Sequence, residues 1–146
     1  MSGEDLFRIA PHPAHSQINS YGFRVALIRP GAPAHAQELR AFAARILRDM
    51  ACDLEARGAV DLAHLKLHLD YGEGFLFGSL VGSARSEVEL KGKDGADAEA
   101  FGLTVNAVVF GVEKAGVREA AEGAVERAVR AYNFRRDDMV NSSGER

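Results

Sequence analysis

The sequence predicts an α+β fold: a two-layer sandwich in which a mostly antiparallel sheet of about four to five strands carries two helices on one face. Three observations predict it. One is the alternation of leucines with polar residues over Leu65 to Asp70. The others are the glycines of Y-G-E-G directly after it, and two amphipathic stretches, 33–57 and 114–132, that enclose the strand-like segments. At 146 residues, 47% hydrophobic and 27% charged, the chain has the size and composition of one globular domain. That domain is expected over residues 21–133, between an extended N-terminal arm, 1–20, and a flexible C-terminal tail, 134–146.

In chain order, Pro11 and Pro13 bracket His12 and disfavour regular structure in the arm. Tyr21–Arg29 alternates as a strand, with Phe23, Val25 and Leu27 on one side, and ends at Pro30-Gly31. In the first helix Leu39, Phe42, Ala43, Ile46, Leu47, Met50 and Leu54 gather on one stripe, and Gly58 is its natural stop. Ala41, Ala44, Ala51 and Cys52 fall on the opposite side.

The strand from Ala63 to Tyr71 sets Leu65, Leu67 and Leu69 against His64, Lys66, His68 and Asp70. If Gly72-Glu73 is a two-residue type II′ loop, Tyr71 pairs with Gly74. Leu69 then faces Leu76, Leu67 faces Gly78, and Leu65 faces Leu80, so the apolar residues of both strands share one side. The same count puts His64 against Val81, Lys66 against Ser79, His68 against Phe77, and Asp70 against Phe75 on the reverse. Further strands are expected over Ser86–Lys91, whose charges suit an edge, and Phe101–Val112. In the latter, Leu103, Val105, Ala107 and Val109 face one way while Thr104, Asn106, Val108 and Phe110 face the other. The final helix collects Val117, Ala120, Ala121, Ala124, Val125, Ala128 and Tyr132 on one stripe.

Familiar chemical motifs fail on spacing. Gly72, Gly74 and Gly78 have the wrong final interval for a dinucleotide loop, and a strand follows where a helix is required. Ser79 lies mid-strand, not at a nucleophile elbow. The acidic stretch around Asp94 and Asp97 lacks the ligand pattern of a calcium loop. Cys52, the single cysteine, sits late in its helix with no base beside it. A net charge of −3 gives no footprint for nucleic acid, and the longest apolar run, Ala107 to Val112, is far too short to span a bilayer. A cytoplasmic protein that needs no cofactor is the expectation.

What remains is the reverse face of the hairpin. His64, Lys66, His68 and Asp70 lie there with Phe75 and Phe77, and Phe110 joins them if the later strand has the same orientation. The two histidines, roughly 13 Å apart along one strand, cannot chelate one ion by themselves. Three functions are weighed. The leading one is a non-enzymatic accessory or protein-binding domain that self-associates through this mixed face. Another is a binder of an anionic small molecule, or an enzyme, using His64, Lys66 and His68. The last is metal binding through His12 and His15. The arm could also cover the face with Leu6, Phe7 and Ile9.

The succession of the first helix, H-L-K-L-H-L-D-Y-G-E-G-F-L-F-G-S-L-V, L-T-V-N-A-V-V-F-G-V and the final helix, over about residues 33–132, resembles the small domain appended to some CobW-like metal-chaperone GTPases. The resemblance implies an accessory or protein-binding role rather than nucleotide hydrolysis, because no G-x-x-x-x-G-K-[ST] loop is present. It carries over no site residue.

Overall fold

The computed structural model describes residues 17–139. Among the described residues eight elements follow one another: β1 (Ile18–Ile28), α1 (Ala36–Ala56), β2 (Asp61–Tyr71), β3 (Gly74–Gly82), β4 (Glu89–Lys93), β5 (Ala100–Phe110), α2 (Lys114–Ala131) and β6 (Arg135–Arg136). The strands form one antiparallel sheet in the order β4-β3-β2-β5-β1-β6. The α+β class stands; the sheet has six strands rather than four to five. α1 lies over β2 and β3 while α2 lies over β1 and β5, so one face of the sheet is covered.

The core follows from the two periodicities. Leu39, Phe42, Ile46, Leu47, Met50 and Leu54 of α1 are fully buried against Leu65, Leu67, Leu69, Leu76 and Leu80 of the hairpin. The small stripe of α2, from Val117 to Ala128, packs over β1 and β5. Ala51, expected on the outer side of α1, is buried too, since the two helices also pack on each other. Arg127 of α2 pairs with Asp49 of α1 at 2.8 Å, which raises the Arg127 pKa.

The hairpin has the expected register from Leu65–Leu80 to Tyr71–Gly74. Gly72 has φ +60° and Glu73 a negative φ, the backbone of a type II′ loop. Below Leu65 a bulge intervenes, and the ladder resumes at Leu62–Gly82, so Ala63 and His64 share the space opposite Val81. The His64–Val81 pairing is therefore corrected. The extra residue shifts the alternation by one position, which lets Leu62 and Leu65, three apart, both enter the core.

Three boundaries differ from expectation. β1 begins at Ile18, three residues before Tyr21, because it pairs with β5 to its end, Ile18 against Phe110. β4 runs Glu89–Lys93 instead of Ser86–Lys91; Ser83–Ser86 is a turn whose carbonyls at Ala84 and Ser86 accept from Arg48. The chain after 133 is not all tail. Asn133 has φ +58°, and the Phe134 N–H reaches Val129 O at 2.9 Å while Asn133 N–H reaches Arg130 O. This left-handed helix end turns Phe134 into the core, edge to face with Phe42 and Phe101, and lets Arg135 and Arg136 pair with β1. Residues 1–16, which include His12 and His15, lie outside the described residues, as do residues 140–146.

Arg29, the residue after β1, ties this corner together. Its guanidinium forks onto the Glu38 carboxylate at 2.7 and 2.8 Å, donates to Tyr132 O, and lies 4.7 Å above the Phe134 ring. Hydrogen bonding from Arg29 holds the Glu38 carboxyl below its ordinary pKa.

Two outcomes follow from this corner. Phe134→Ala is expected to cost about 3–5 kcal/mol in chemical denaturation, the range of a buried phenylalanine and far above that of a frayed tail. Glu38→Gln is expected to cost roughly 1–3 kcal/mol at neutral pH. A carboxylate whose folded pKa is lowered stabilises above its unfolded pKa and loses that contribution as pH falls through the folded value. The gap between Glu38→Gln and the parent should thus close below the usual carboxylate range, as a denaturation series against pH would show.

Candidate functional site

Helices cover the side of the sheet that odd-numbered residues of β1, of β5 and of β2 from Leu65 onward occupy, and the alternation sends the even-numbered residues of those stretches to the other side. The ladders arrange that open face in rows. The first row runs Lys93, Phe75, Asp70, Gly102 and Ala26. Lys91, Phe77, His68, Thr104 and Arg24 form the second, and Glu89, Ser79, Lys66, Asn106 and Gly22 the third. Beyond them, His64, Val108 and Ser20 align beside Val81, and Phe110 meets Ile18.

Two halves result. The far rows are apolar: Ile18 is 54% exposed and Val81 57%, with Val108 and Phe110 half-buried between them. The near rows are aromatic and charged. The His68 ring stacks on Phe77, centroids 4.5 Å apart and planes 22° from parallel, and Phe75 meets the Phe77 edge at 5.5 Å. Phe77 is 52% exposed on its outer side. Around it lies an open groove of about 360 Å³ bordered by Lys66, His68, Phe77, Ser79, Glu89, Lys91 and Asn106.

All seven face residues expected from the sequence therefore share one side, but not one site. Lys66, His68 and Phe77 border the groove. Phe75 abuts it, and Asp70 is engaged elsewhere, accepting from Arg24 at 3.2 Å. Arg24 also donates to Thr104 at 3.1 Å, and it crosses Gly102 so closely that a Cβ there would lie 2.5 Å from its Nη2. Phe110 and His64 belong to the apolar half. The Nε2 of His64 is buried with no hydrogen-bond partner among the described residues.

Ser79, Glu89, Lys91 and Asn106 are the groove residues that the sequence reading did not assign to a site. Asn106 and Ser79 were legible from alternation alone. Lys91 and Glu89 were not, because the β3–β4 register depends on where β4 begins. Lys66, Ser79, Glu89, Lys91 and Asn106 have side chains free of hydrogen bonds and ion pairs among the described residues. Asp94 and Asp97, by contrast, are taken up by Arg40 at 2.7 Å and His35 at 2.9 Å, and tie their loop to α1. Cys52 is exposed. Among the described residues no cluster of three or more His, Cys, Asp or Glu could hold a metal ion, and no helix is long and apolar enough to cross a membrane.

No family model and no curated protein matches the chain. Among solved structures it is similar to the Zn(II)-bound YjiA GTPase from E. coli, at 16% identity and a TM-score of 0.37. A Zn(II)-bound triple mutant of the same GTPase matches at 16% identity and a TM-score of 0.35. Each match covers 73% of this chain but 29% of the other, so the chain spans under a third of the length of the proteins it matches. At these scores the likeness bears on no residue of the open face.

The orphaned Nε2 makes a stability test of this half of the face. An unpartnered buried polar atom costs about 1–3 kcal/mol, so His64→Leu should leave the fold at least as stable as the parent. A loss beyond about 1 kcal/mol in urea titration would mean that His64 finds a partner in solution.

Proposed function

We propose that this chain is an accessory, protein-binding domain that acts through the open face of its sheet and associates with a second copy of itself there. The carrying observation is the gathering of large exposed apolar side chains, Ile18, Phe75, Phe77 and Val81, on the one face that neither helix covers. Antiparallel sheets tolerate one solvated face when that face is polar. Here half of it is not, and contiguous apolar surface of this kind marks an interaction site.

Symmetry favours a second copy. In a two-fold contact each residue i meets j and each j meets i, so a patch that complements itself needs no other partner. A two-fold axis through the apolar half would set Ile18, Val81, Val108 and Phe110 against their own equivalents. The lysines of the near rows would stay apart at the rim, in water, and avoid like-charge contact. No step of chemistry is needed for this role.

Light scattering coupled to size exclusion, over a concentration series, tests the reading. The expected result is a dimer that Ile18→Glu and Val81→Glu convert to a monomer that keeps the parent's circular-dichroism spectrum, since both side chains are exposed. A parent chain that stays monomeric throughout the series overturns self-association.

A further inference from the structure

We propose that the groove beside Phe77 is a binding site for a small aromatic carboxylate, held with its ring on Phe77 and its charge between Lys66 and Lys91. The site goes beyond the docking reading and occupies the other half of the face.

The argument begins with charge. The chain has four lysines, Lys66, Lys91, Lys93 and Lys114. Three of them project from the near rows of the open face, and none of those three has an acidic partner among the described residues. Among the described residues, arginines supply the ion pairs given by the other side chains, from Arg24–Asp70 to Arg130–Glu126, with His35–Asp97 beside them. On a protein of net charge −3, this groove is a local reversal of sign.

Geometry supports convergence. Lys66 on β2 and Lys91 on β4 flank β3, one row apart, so their Cα atoms are roughly 10–12 Å from each other at ordinary strand spacing. Two lysine side chains readily bridge that gap and point their ammonium groups at one carboxylate. Between them, Phe77 offers an exposed ring already stiffened by the stack with His68. Asn106 and Ser79 add uncommitted hydrogen-bonding groups, and a volume of about 360 Å³ suits a single-ring ligand. Glu89, the acidic member of the wall, disfavours a multiply charged anion such as phosphate and selects a monoanion.

Benzoate is the probe, added to the full-length, isotope-labelled chain and followed by amide shifts, with acetate and benzamide as controls. Saturable shifts at Lys66, Phe77, Ser79 and Lys91 are expected, with a dissociation constant on the order of 1 mM or tighter. Acetate lacks the ring and benzamide the charge, so both should bind at least about tenfold more weakly. The double variant Lys66→Ala/Lys91→Ala should lose benzoate, Phe77→Ala should bind benzoate no better than acetate, and Lys114→Ala should behave as the parent. All four positions are exposed, so their variants should fold. Absence of saturable shifts, equal binding of benzamide, or benzoate binding that survives the double lysine variant overturns the site. Light scattering on the same samples separates the two readings: a monomer that binds benzoate keeps the groove and removes the docking, and a dimer that ignores benzoate does the reverse.

Discussion

The pairing of Tyr71 with Gly74 across Gly72-Glu73 is the constraint on which the rest of the molecule depends. A slip of one residue in that hairpin would exchange the leucines for His64, Lys66, His68 and the phenylalanines, and the helices would face a charged surface. The positive φ of Gly72 closes a loop of two residues, so no slack remains for the slip. β5 then inherits the register on the other edge of β2, with Leu67 against Val105 and Lys66 against Asn106. β1 inherits it from β5. The open face is thus the obligatory reverse of the core, written by a period of two across four strands.

The bulge at Ala63 and His64 marks where this period is broken deliberately. Without it, continued alternation would carry Ala63 inward and leave Leu62 on the open face, where one more leucine would join Val81, Val108 and Phe110. The inserted residue returns Leu62 to the core and leaves His64 crowded on the apolar half, its Nε2 without a partner among the described residues. Gain of a fully buried leucine, about 1.5–3 kcal/mol, exceeds or matches the loss at one imidazole nitrogen. The burial of this nitrogen is therefore a consequence of packing, and no catalytic role is needed to account for it.

Much of this was legible in the residues themselves. The helices declared their buried faces through three- and four-residue spacing, and the hairpin register could be counted from the turn because both readings agreed on the leucines. Three features could not be counted that way. A bulge leaves no trace in a run such as D-L-A-H-L, where either phase buries a plausible set. The start of β4 was masked by glutamates and lysines spread over Ser86–Lys93, and with it went the placement of Lys91 beside Phe77. Phe134 was lost among the charges of R-R-D-D, although Asn133 followed by an aromatic residue is the signature of a left-handed helix end with an apolar residue turned back onto the helix. Its value depends on Arg29 and Phe42, more than 90 residues away in the chain, and no local pattern encodes such a contact.

The division of the open face into an apolar half and a charged half sharpens what each half can do. An apolar surface loses its stabilisation in water without regard to direction, so Ile18, Val81, Val108 and Phe110 favour whatever covers them. Charges discriminate. Lys66 and Lys91 act over a Debye length of about 8–10 Å at ordinary ionic strength, which reaches across the groove but scarcely to the far rows. A ligand or partner meeting the near rows is therefore read by sign and by its fit to Phe77, while the far rows read only shape. Burying the lysines without a compensating anion would cost more than the exposed part of Phe77 could return. Any contact that covers the whole face must bring negative charge to the near rows, and a contact that brings none must stop at the apolar half.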